Sequence, residues 1–326
     1  MIRSYAMRLF LFAVPALLVA MPSRAGAFMM DAPGDGPVAS SRTIHVGDAA
    51  IQIDFGPGEF DMPPEDVIAW IEAAARSVST YYGRFPVRSA RVLVIPVAGA
   101  RGVRQGTTWG GVRGFPAFTR MRIGQHTQPA DLKQDWTMTH EFVHVAFPSV
   151  TGDHHWIEEG TATYVEPIAR VEAGELNADG VWKDMIRDMP KGQPGTDDQG
   201  LDRTHAWGRT YWGGAGFCLL ADVTIRRRTE NRKGLRDALR GIVAAGGTID
   251  QDWPLTRALD AGDAATGTHV LMDLYGKMRD TAVPIDFAGL WKQMGVEAEG
   301  GVVRYNSRAP LADVRKSILS LETKLP

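Results

Sequence analysis

Residues 136–147 have the sequence WTMTHEFVHVAF, which contains the pattern His140-Glu141-x-x-His144. The apolar residues of this stretch predict a buried helix; they are Trp136, Met138, Phe142, Val143, Val145 and Phe147. Residues four apart on a helix lie on one face, one turn from each other. The stretch therefore predicts a helix that presents two imidazoles on one face, with a carboxylate beside the first.

Two imidazoles at this spacing can hold one zinc ion, and the adjacent glutamate can act as general base toward a water molecule. The alternative is a helix with two partly exposed histidines and no metal. A catalytic zinc site needs three protein ligands and one open position. Since two residues of one helix cannot supply the third ligand, a second segment has to provide it.

A second candidate segment follows soon after the first, at residues 156–164 (WIEEGTATY). A turn is predicted at Thr151-Gly152-Asp153, so the chain has room to reverse and begin another helix. A carboxylate at the start of this helix, from Glu158 or Glu159, could face the two histidines.

The two segments together resemble the gluzincin metallopeptidases, and in particular their aminopeptidase branch. The residues that carry the resemblance are His140-Glu141-x-x-His144 and Trp156-x-x-Glu159-Gly160-x-Ala162-x-Tyr164. The resemblance implies that Glu159, and not Glu158, is the third zinc ligand. Fourteen residues separate His144 from Glu159, a short gap that is similar to that of compact bacterial relatives such as the glycyl aminopeptidases.

A third segment, Tyr211-Trp212-Gly213-Gly214, resembles the Y-x-x-G of the same branch. The resemblance implies that Tyr211 stabilises the transition state, because a phenol can donate a hydrogen bond to a developing oxyanion without titrating near neutrality. The residues alone favour an aromatic side chain that packs on the core at the start of a helix. The resemblance covers roughly residues 90–243.

The sequence departs from the large aminopeptidases at the G-x-M-E-N segment, which binds the free amino group of the substrate there. The corresponding stretch, residues 106–124, contains neither aspartate nor glutamate. Arginines make this region basic instead; they are Arg104, Arg113, Arg120 and Arg122. The choice between exopeptidase and endopeptidase action stays open.

Two further histidines are candidates for contact with a substrate. His155 stands beside Trp156 near the expected cleft, and His205 precedes Tyr211. The alternative for His155 is an exposed polar residue of a turn. His205 could also assist at the oxyanion.

Composition narrows the class of protein. The chain has 326 residues, 44% hydrophobic and 23% charged, with a net charge of −2. This is typical of a globular protein and gives no indication of a nucleic-acid partner. The single cysteine, Cys218, cannot form an internal disulfide or a thiolate metal site, and its apolar surroundings predict a buried structural role.

The N-terminus has the pattern of a secretory signal peptide over residues 1–27. Arg3 and Arg8 precede the apolar run 9–21, and Ala25-Gly26-Ala27 provides a cleavage site. The alternative, an uncleaved anchor, is disfavoured because the run is shorter than the roughly 18–20 apolar residues of a membrane span. We expect an exported protein, periplasmic or secreted, without stable membrane insertion after cleavage.

The remaining pattern predicts an α+β fold of the thermolysin-like, gluzincin type. A flexible leader is expected at 28–42, then a single domain over 43–326, with a β-rich lobe at 43–130 and a helical lobe at 131–326. Strands are predicted at 43–55, 90–97 and, as an edge strand, 117–124. Helices are predicted at 63–82, 131–147, 155–171, 182–189, 211–228, 235–243, 255–259, 269–279 and 287–294. Asp222 and Arg226 are expected to form a surface ion pair.

These expectations combine into one functional hypothesis: an exported peptidase with one zinc ion per chain, held by His140, His144 and Glu159. Glu141 acts as general base, Tyr211 as oxyanion donor, and a peptide or protein substrate lies along the edge strand at 117–124. Two alternatives remain. One is a non-catalytic binding protein of the same fold, which would have no need of Glu141, and the other is a zinc hydrolase that acts on a non-peptide amide.

Overall fold

This computed structural model describes residues 36–320, and the sheet lies in the N-terminal part of that range. Within that range five strands form one sheet: β1 (Ser40–Val46), β2 (Ala49–Phe55), β3 (Ser89–Val97), β4 (Val103–Val112) and β5 (Phe115–Gly124). Their order is β1-β2-β3-β5-β4, with β2, β3 and β5 parallel to one another and the two outer strands antiparallel to their neighbours.

The predicted strands at 43–55 and 90–97 and the predicted helix at 63–82 are confirmed. Helix α1 (Pro64–Tyr82) begins at a proline and ends before Gly83, whose φ of 82° only glycine adopts readily. It links the parallel strands β2 and β3. The signal peptide predicted at 1–27 lies outside the described residues, as does most of the predicted leader. Strand β1 already begins at Ser40, inside the predicted leader.

The strand predicted at 117–124 is present as β5, but the prediction that it lies at the edge is wrong. Strand β5 lies between β3 and β4, so β4 is the edge strand. Strand β4 is not predicted from the sequence, because its glycines weaken the alternating pattern of a strand. Two of them are required by space: a Cβ at Gly106 would lie 2.8 Å from Glu141 Cγ, and one at Gly110 would lie 2.1 Å from the carbonyl oxygen of Ile249.

Helices form most of the C-terminal part, as predicted. They are α2 (Pro129–Gln134), α3 (Thr137–His144), α4 (His155–Glu172), α5 (Ala178–Asp188), α6 (Gly214–Arg228), α7 (Leu235–Ala244), α8 (Leu255–Thr266), α9 (Val270–Met278), α10 (Phe287–Met294) and α11 (Ala312–Ile318). A hairpin of β6 (Val296–Glu299) and β7 (Val302–Tyr305) precedes α11. Among the described residues, no helix is both long and apolar enough to cross a membrane.

Three helical predictions need correction. The helix predicted at 255–259 is longer in the structure, where α8 extends to Thr266. The helix predicted at 131–147 is divided into α2 and α3, because Asp135 has an extended backbone and its carboxylate accepts a hydrogen bond from the Thr137 amide (2.7 Å). The helix predicted from Tyr211 has a π-helical segment, Arg209–Gly213, before α6.

The Asp222–Arg226 pair is buried, contrary to the prediction of a surface pair. Asp222 accepts hydrogen bonds from the Tyr164 hydroxyl of α4 (2.9 Å), from Arg226 of α6 (2.8 Å) and from the Leu235 amide of α7 (3.0 Å). The carboxylate thus satisfies donors from three helices, and its loss would leave buried polar groups unpaired. Cys218 on the same helix is buried and free, as predicted.

Candidate metal centre

Helix α3 carries the two histidines of the pattern on one face. The ring centroids of His140 and His144 lie 4.9 Å apart at an interplanar angle of 82°. Phe142 lies on the opposite face, and both Phe142 and Val143 are buried in the core. Trp136, predicted to lie in the buried helix, is instead 50% exposed, and its ring and that of His140 meet edge to face with centroids 4.9 Å apart.

Helix α4 brings Glu159 to the two histidines. Glu159 Oε2 lies 3.0 Å from His140 Nε2 and 3.7 Å from His144 Nε2. One ligand atom from each residue can be chosen so that all three lie within 4.8 Å of one another, and this is the group that a metal ion could occupy among the described residues. The neighbouring Glu158 instead pairs with His155.

The protonation states of His144 and Glu159 suit a metal ion. Burial lowers the pKa of His144 to about 4, so its imidazole is neutral at neutral pH. Burial also acts to raise the pKa of Glu159, but hydrogen bonds from His140 and His155 outweigh it, and the pKa is lowered well below its usual range. Neutral imidazole and ionised carboxylate are the forms that bind metal.

Glu141 lines the same cavity as this triad and contacts the edge strand β4. Its Oε2 accepts a hydrogen bond from the Thr108 hydroxyl (2.7 Å), which in turn lies 2.9 Å from the Thr119 hydroxyl of β5. Because the Thr108 proton is donated to Glu141, Thr119 donates to Thr108. Burial raises the pKa of Glu141, while the neighbouring His140 and the Thr108 hydrogen bond act in the opposite direction. Thr108 is not among the residues predicted for the site, since threonine in a glycine-rich stretch belongs to no catalytic motif.

Tyr211 lies in the π-helical segment, with its ring stacked over His140 at a centroid distance of 6.1 Å and an angle of 15°. Burial, followed by the nearby Glu159 carboxylate, raises the pKa of Tyr211 far above its usual value. The phenol therefore keeps its proton at neutral pH. Trp207 stacks on the same ring, with centroids 5.4 Å apart.

Two glycines of the quoted motifs meet where α4 crosses the start of α6. A Cβ at Gly160 would lie 2.3 Å from Gly214 Cα, and a Cβ at Gly214 would lie 2.1 Å from the Trp156 carbonyl oxygen. Gly160 follows Glu159, and Gly214 lies three residues after Tyr211. This backbone contact consequently sets the separation of Glu159 and Tyr211.

The two further histidines have different surroundings. His155 Nε2 lies 3.3 Å from Glu159 Oε1 and its Nδ1 lies 3.2 Å from Glu158 Oε2, which raises the pKa of His155 to about 10. His205 is exposed and is not brought to the cavity described next.

These side chains surround a cavity of about 740 Å³, called the metal-site cavity below. One wall is strand β4 from Val103 to Gly110, and the others come from α3, the start of α4, Tyr211 and the Ser149–Ile249 contact. The edge of β4, and not the stretch 117–124, therefore faces the site. Of the four arginines noted in the sequence, Arg104 lines the cavity, whereas Arg120 lies over the Trp109 ring at 5.0 Å.

Comparison with known proteins supports the fold. No family model matches the chain, and a search of the curated proteins finds no significant match. Among solved structures, an aminopeptidase N family protein from Idiomarina loihiensis superposes with a TM-score of 0.57 at 12% identity, over 83% of this chain and 53% of that one. An M1 zinc metallopeptidase from Deinococcus radiodurans gives a TM-score of 0.47 at 16% identity, over 77% and 53%.

The chain therefore spans about half the length of these two structures. Its α+β fold, with an N-terminal sheet followed by helices, is similar to that of the aminopeptidase N family protein. This agrees with the resemblance found in the sequence.

Proposed function

We propose that this chain is an exported zinc-dependent peptidase, with a gluzincin-type catalytic domain over 43–326 behind a signal peptide at 1–27. One observation carries the proposal: His140, His144 and Glu159 offer three ligand atoms within 4.8 Å of one another, beside Glu141 and Tyr211 in a single cavity. A purely structural metal site has no use for Glu141 or Tyr211, so a non-catalytic binding protein accounts less well for the arrangement.

The triad has a composition found in catalytic zinc sites, two imidazole nitrogens and one carboxylate oxygen. A zinc ion held there would lower the pKa of a water molecule and polarise a carbonyl group. Glu159 is held from the other side by His155, which leaves its Oε2 facing the two histidines.

Glu141 is the group that moves the proton. Its carboxylate takes a proton from the attacking water and delivers it to the amine that leaves. The Thr119–Thr108 hydrogen bonds hold Oε2, so the other oxygen, Oε1, is oriented by the protein and free to act. Gly106 leaves the space that this carboxylate occupies.

Strand β4 provides the surface for the substrate. An edge strand has a row of backbone groups that lack a partner strand, and an extended peptide can pair with them. Residues 103–110 of β4 line the cavity, so a peptide bound there would cross the triad. No acidic side chain occurs in β4, so this strand offers no anchor for a free amino group.

The first test is the metal content of the purified mature protein. We expect about one zinc per chain, because the triad supplies one site. Chelation should abolish peptide hydrolysis, and added zinc should restore it. Metal analysis and a peptide-library assay measure both results, and a fully active protein without metal would contradict the proposal.

Replacing Tyr211 with Phe tests the oxyanion donor. We expect kcat to fall about 10²–10³-fold with little change in KM, because the hydroxyl donates only as charge develops on the carbonyl oxygen. The ring contacts with His140 and Trp207 are kept in this variant. Steady-state kinetics on one good substrate give the answer, and an unchanged kcat would remove Tyr211 from the mechanism.

A further inference from the structure

Strand β4 contains a β-bulge where it reaches the metal-site cavity. Val103 pairs with Ile123 of β5, and Gln105 pairs with Arg122, the residue directly before Ile123. Arg104 is therefore an extra residue in β4 that has no partner on β5. Bulges of this kind redirect a side chain and are common next to active sites.

The side chain of Arg104 is exposed and lines the metal-site cavity. No hydrogen bond or ion pair joins its guanidinium to any residue between 36 and 320, the range that the structure describes. A guanidinium presents its N–H groups as a planar fork that matches the two oxygens of a carboxylate. The charge of Arg104 is thus open to an anionic group that enters the cavity.

The acidic side chains of the metal-site cavity each have another hydrogen-bond partner. These pairs are Asp135 with the Thr137 amide, Glu141 with the Thr108 hydroxyl, Glu158 with His155, and Glu159 with His140. Among the described residues that line this cavity, Arg104 is consequently the charged group that a substrate would meet without a partner.

Arg104 lies a short distance along β4 from the general base. A Cβ at Gly106 would lie 2.8 Å from Glu141 Cγ, so β4 passes Glu141 at this residue. The two residues from Gly106 to Arg104 span about 7 Å, and two residues of an extended peptide paired with β4 cover the same length. A substrate group that reaches Arg104 therefore belongs to a residue one or two positions from the bond that is cleaved.

We propose that Arg104 binds a carboxylate of the substrate, and that the protein prefers peptides with a carboxylate within two residues of the scissile bond. The inference rests on the proposed peptidase function and adds the substrate class to it. An acidic side chain and the C-terminus of a short peptide present the same two oxygens to the guanidinium. The composition of β4 agrees, since this strand has no acidic side chain that would repel either group.

The test compares Glu with Gln at each of the two residues before and the two residues after the scissile bond. Every peptide is made with a free C-terminal carboxylate and with a C-terminal amide. In at least one pair we expect kcat/KM for the carboxylate to exceed that for its amide counterpart at least about 5-fold. A gain at an internal Glu identifies a side chain as the ligand, and a gain confined to the free C-terminus identifies the C-terminus. Equal values in every pair would overturn the proposal.

Substitution of Arg104 should change this preference in a way that loss of structure would not. Arg104→Gln should bring the carboxylate-to-amide ratio of kcat/KM to about one, and Arg104→Glu should make Lys the preferred residue at the same position. In the unaltered protein the ratio should decline in about 1 M salt, because salt screens exposed charges.

Arg122→Gln is the matched control. Arg122 is exposed on the adjacent strand β5, as Arg104 is on β4, but it does not line the metal-site cavity. Its substitution should leave the carboxylate-to-amide ratio as it was. A ratio that persists in Arg104→Gln, or that falls equally in Arg122→Gln, contradicts the role of Arg104.

Binding without turnover separates this inference from the peptidase proposal. Trp109 and Trp136 line the metal-site cavity, so tryptophan fluorescence can report a bound peptide. In the Glu141→Gln protein with added zinc, one carboxylate peptide of the set should bind at least about 5-fold more tightly than its amide counterpart. Arg104→Gln in addition should abolish the difference.

The two proposals then fail separately. If no peptide is cleaved but this binding preference is found and depends on Arg104, the peptidase function fails and the role of Arg104 stands. If peptides are cleaved and no carboxylate is preferred, the role of Arg104 fails and the peptidase function stands.

Discussion

Replacing Glu141 with Gln is expected to lower kcat/KM for peptide hydrolysis about 10²–10⁴-fold while zinc stays bound. Glutamine keeps the shape of the side chain and can still contact Thr108, but its amide cannot accept the proton of the attacking water. The carboxylate is not among the three groups that would hold the metal, so the zinc content should not change. Kinetics and metal analysis on the same preparation measure both quantities.

Glu158→Gln is the matched control, because it removes a carboxylate from the same cavity. Glu158 pairs with His155 and lies outside the triad, so we expect less than about a 10-fold change in kcat/KM. Equal losses in the two variants would mean that the negative charge of the cavity matters and that Glu141 is not the base. Loss of zinc from Glu141→Gln would also contradict the assignment.

Replacing Gly160 with Ala should have the largest effect on stability, a loss of about 1–3 kcal/mol in the free energy of unfolding. The added methyl group would lie 2.3 Å from backbone atoms of Gly214, and backbone cannot rotate away as a side chain can. Helices α4 and α6 would have to move apart. Since this contact also sets the separation of Glu159 and Tyr211, activity should fall with stability. Denaturant titration gives the free energy.

Gly276→Ala is the control for the substitution itself. Gly276 lies inside α9, where an added Cβ meets nothing within 4 Å. Alanine favours the helix there, so this variant should gain up to about 1 kcal/mol. The two variants make the same chemical change with opposite expected signs. A loss of similar size in both would show that the α4–α6 contact has no special importance.

The sequence predicts the fold best where local pattern and tertiary packing agree. Helix α1 has a proline at its start and a glycine after its end, and its bounds in the structure match the prediction. In strand β4 the local pattern and the packing disagree, because its glycines leave space for Glu141 and Ile249. A requirement for space, set by partners distant in the chain, cannot be read from local pattern. The pattern therefore predicts the edge strand at β5, one strand after the actual edge strand β4.

The site could be predicted to the extent that helix spacing determines it. The separation of four residues places His140 and His144 on one face, and the structure has them there. Spacing alone did not distinguish Glu158 from Glu159; the family resemblance selected Glu159, which is the residue that lies beside the histidines. Asp222 and Arg226 are also four residues apart. That spacing predicts the ion pair but not its burial, and in the structure the pair is buried.

The π-helical segment Arg209–Gly213 holds one more residue in its turn than an α-helix would. Deleting one residue there would restore a regular helix. The helical residues directly before the segment would then be rotated by about 100° relative to α6. Trp207 would then leave the ring of Tyr211, on which it now stacks. A single substitution can change only one ring of the Trp207–Tyr211 stack beside the metal site. A change of one residue in the length of this turn would rearrange both rings in one evolutionary step and leave the core of α6 intact.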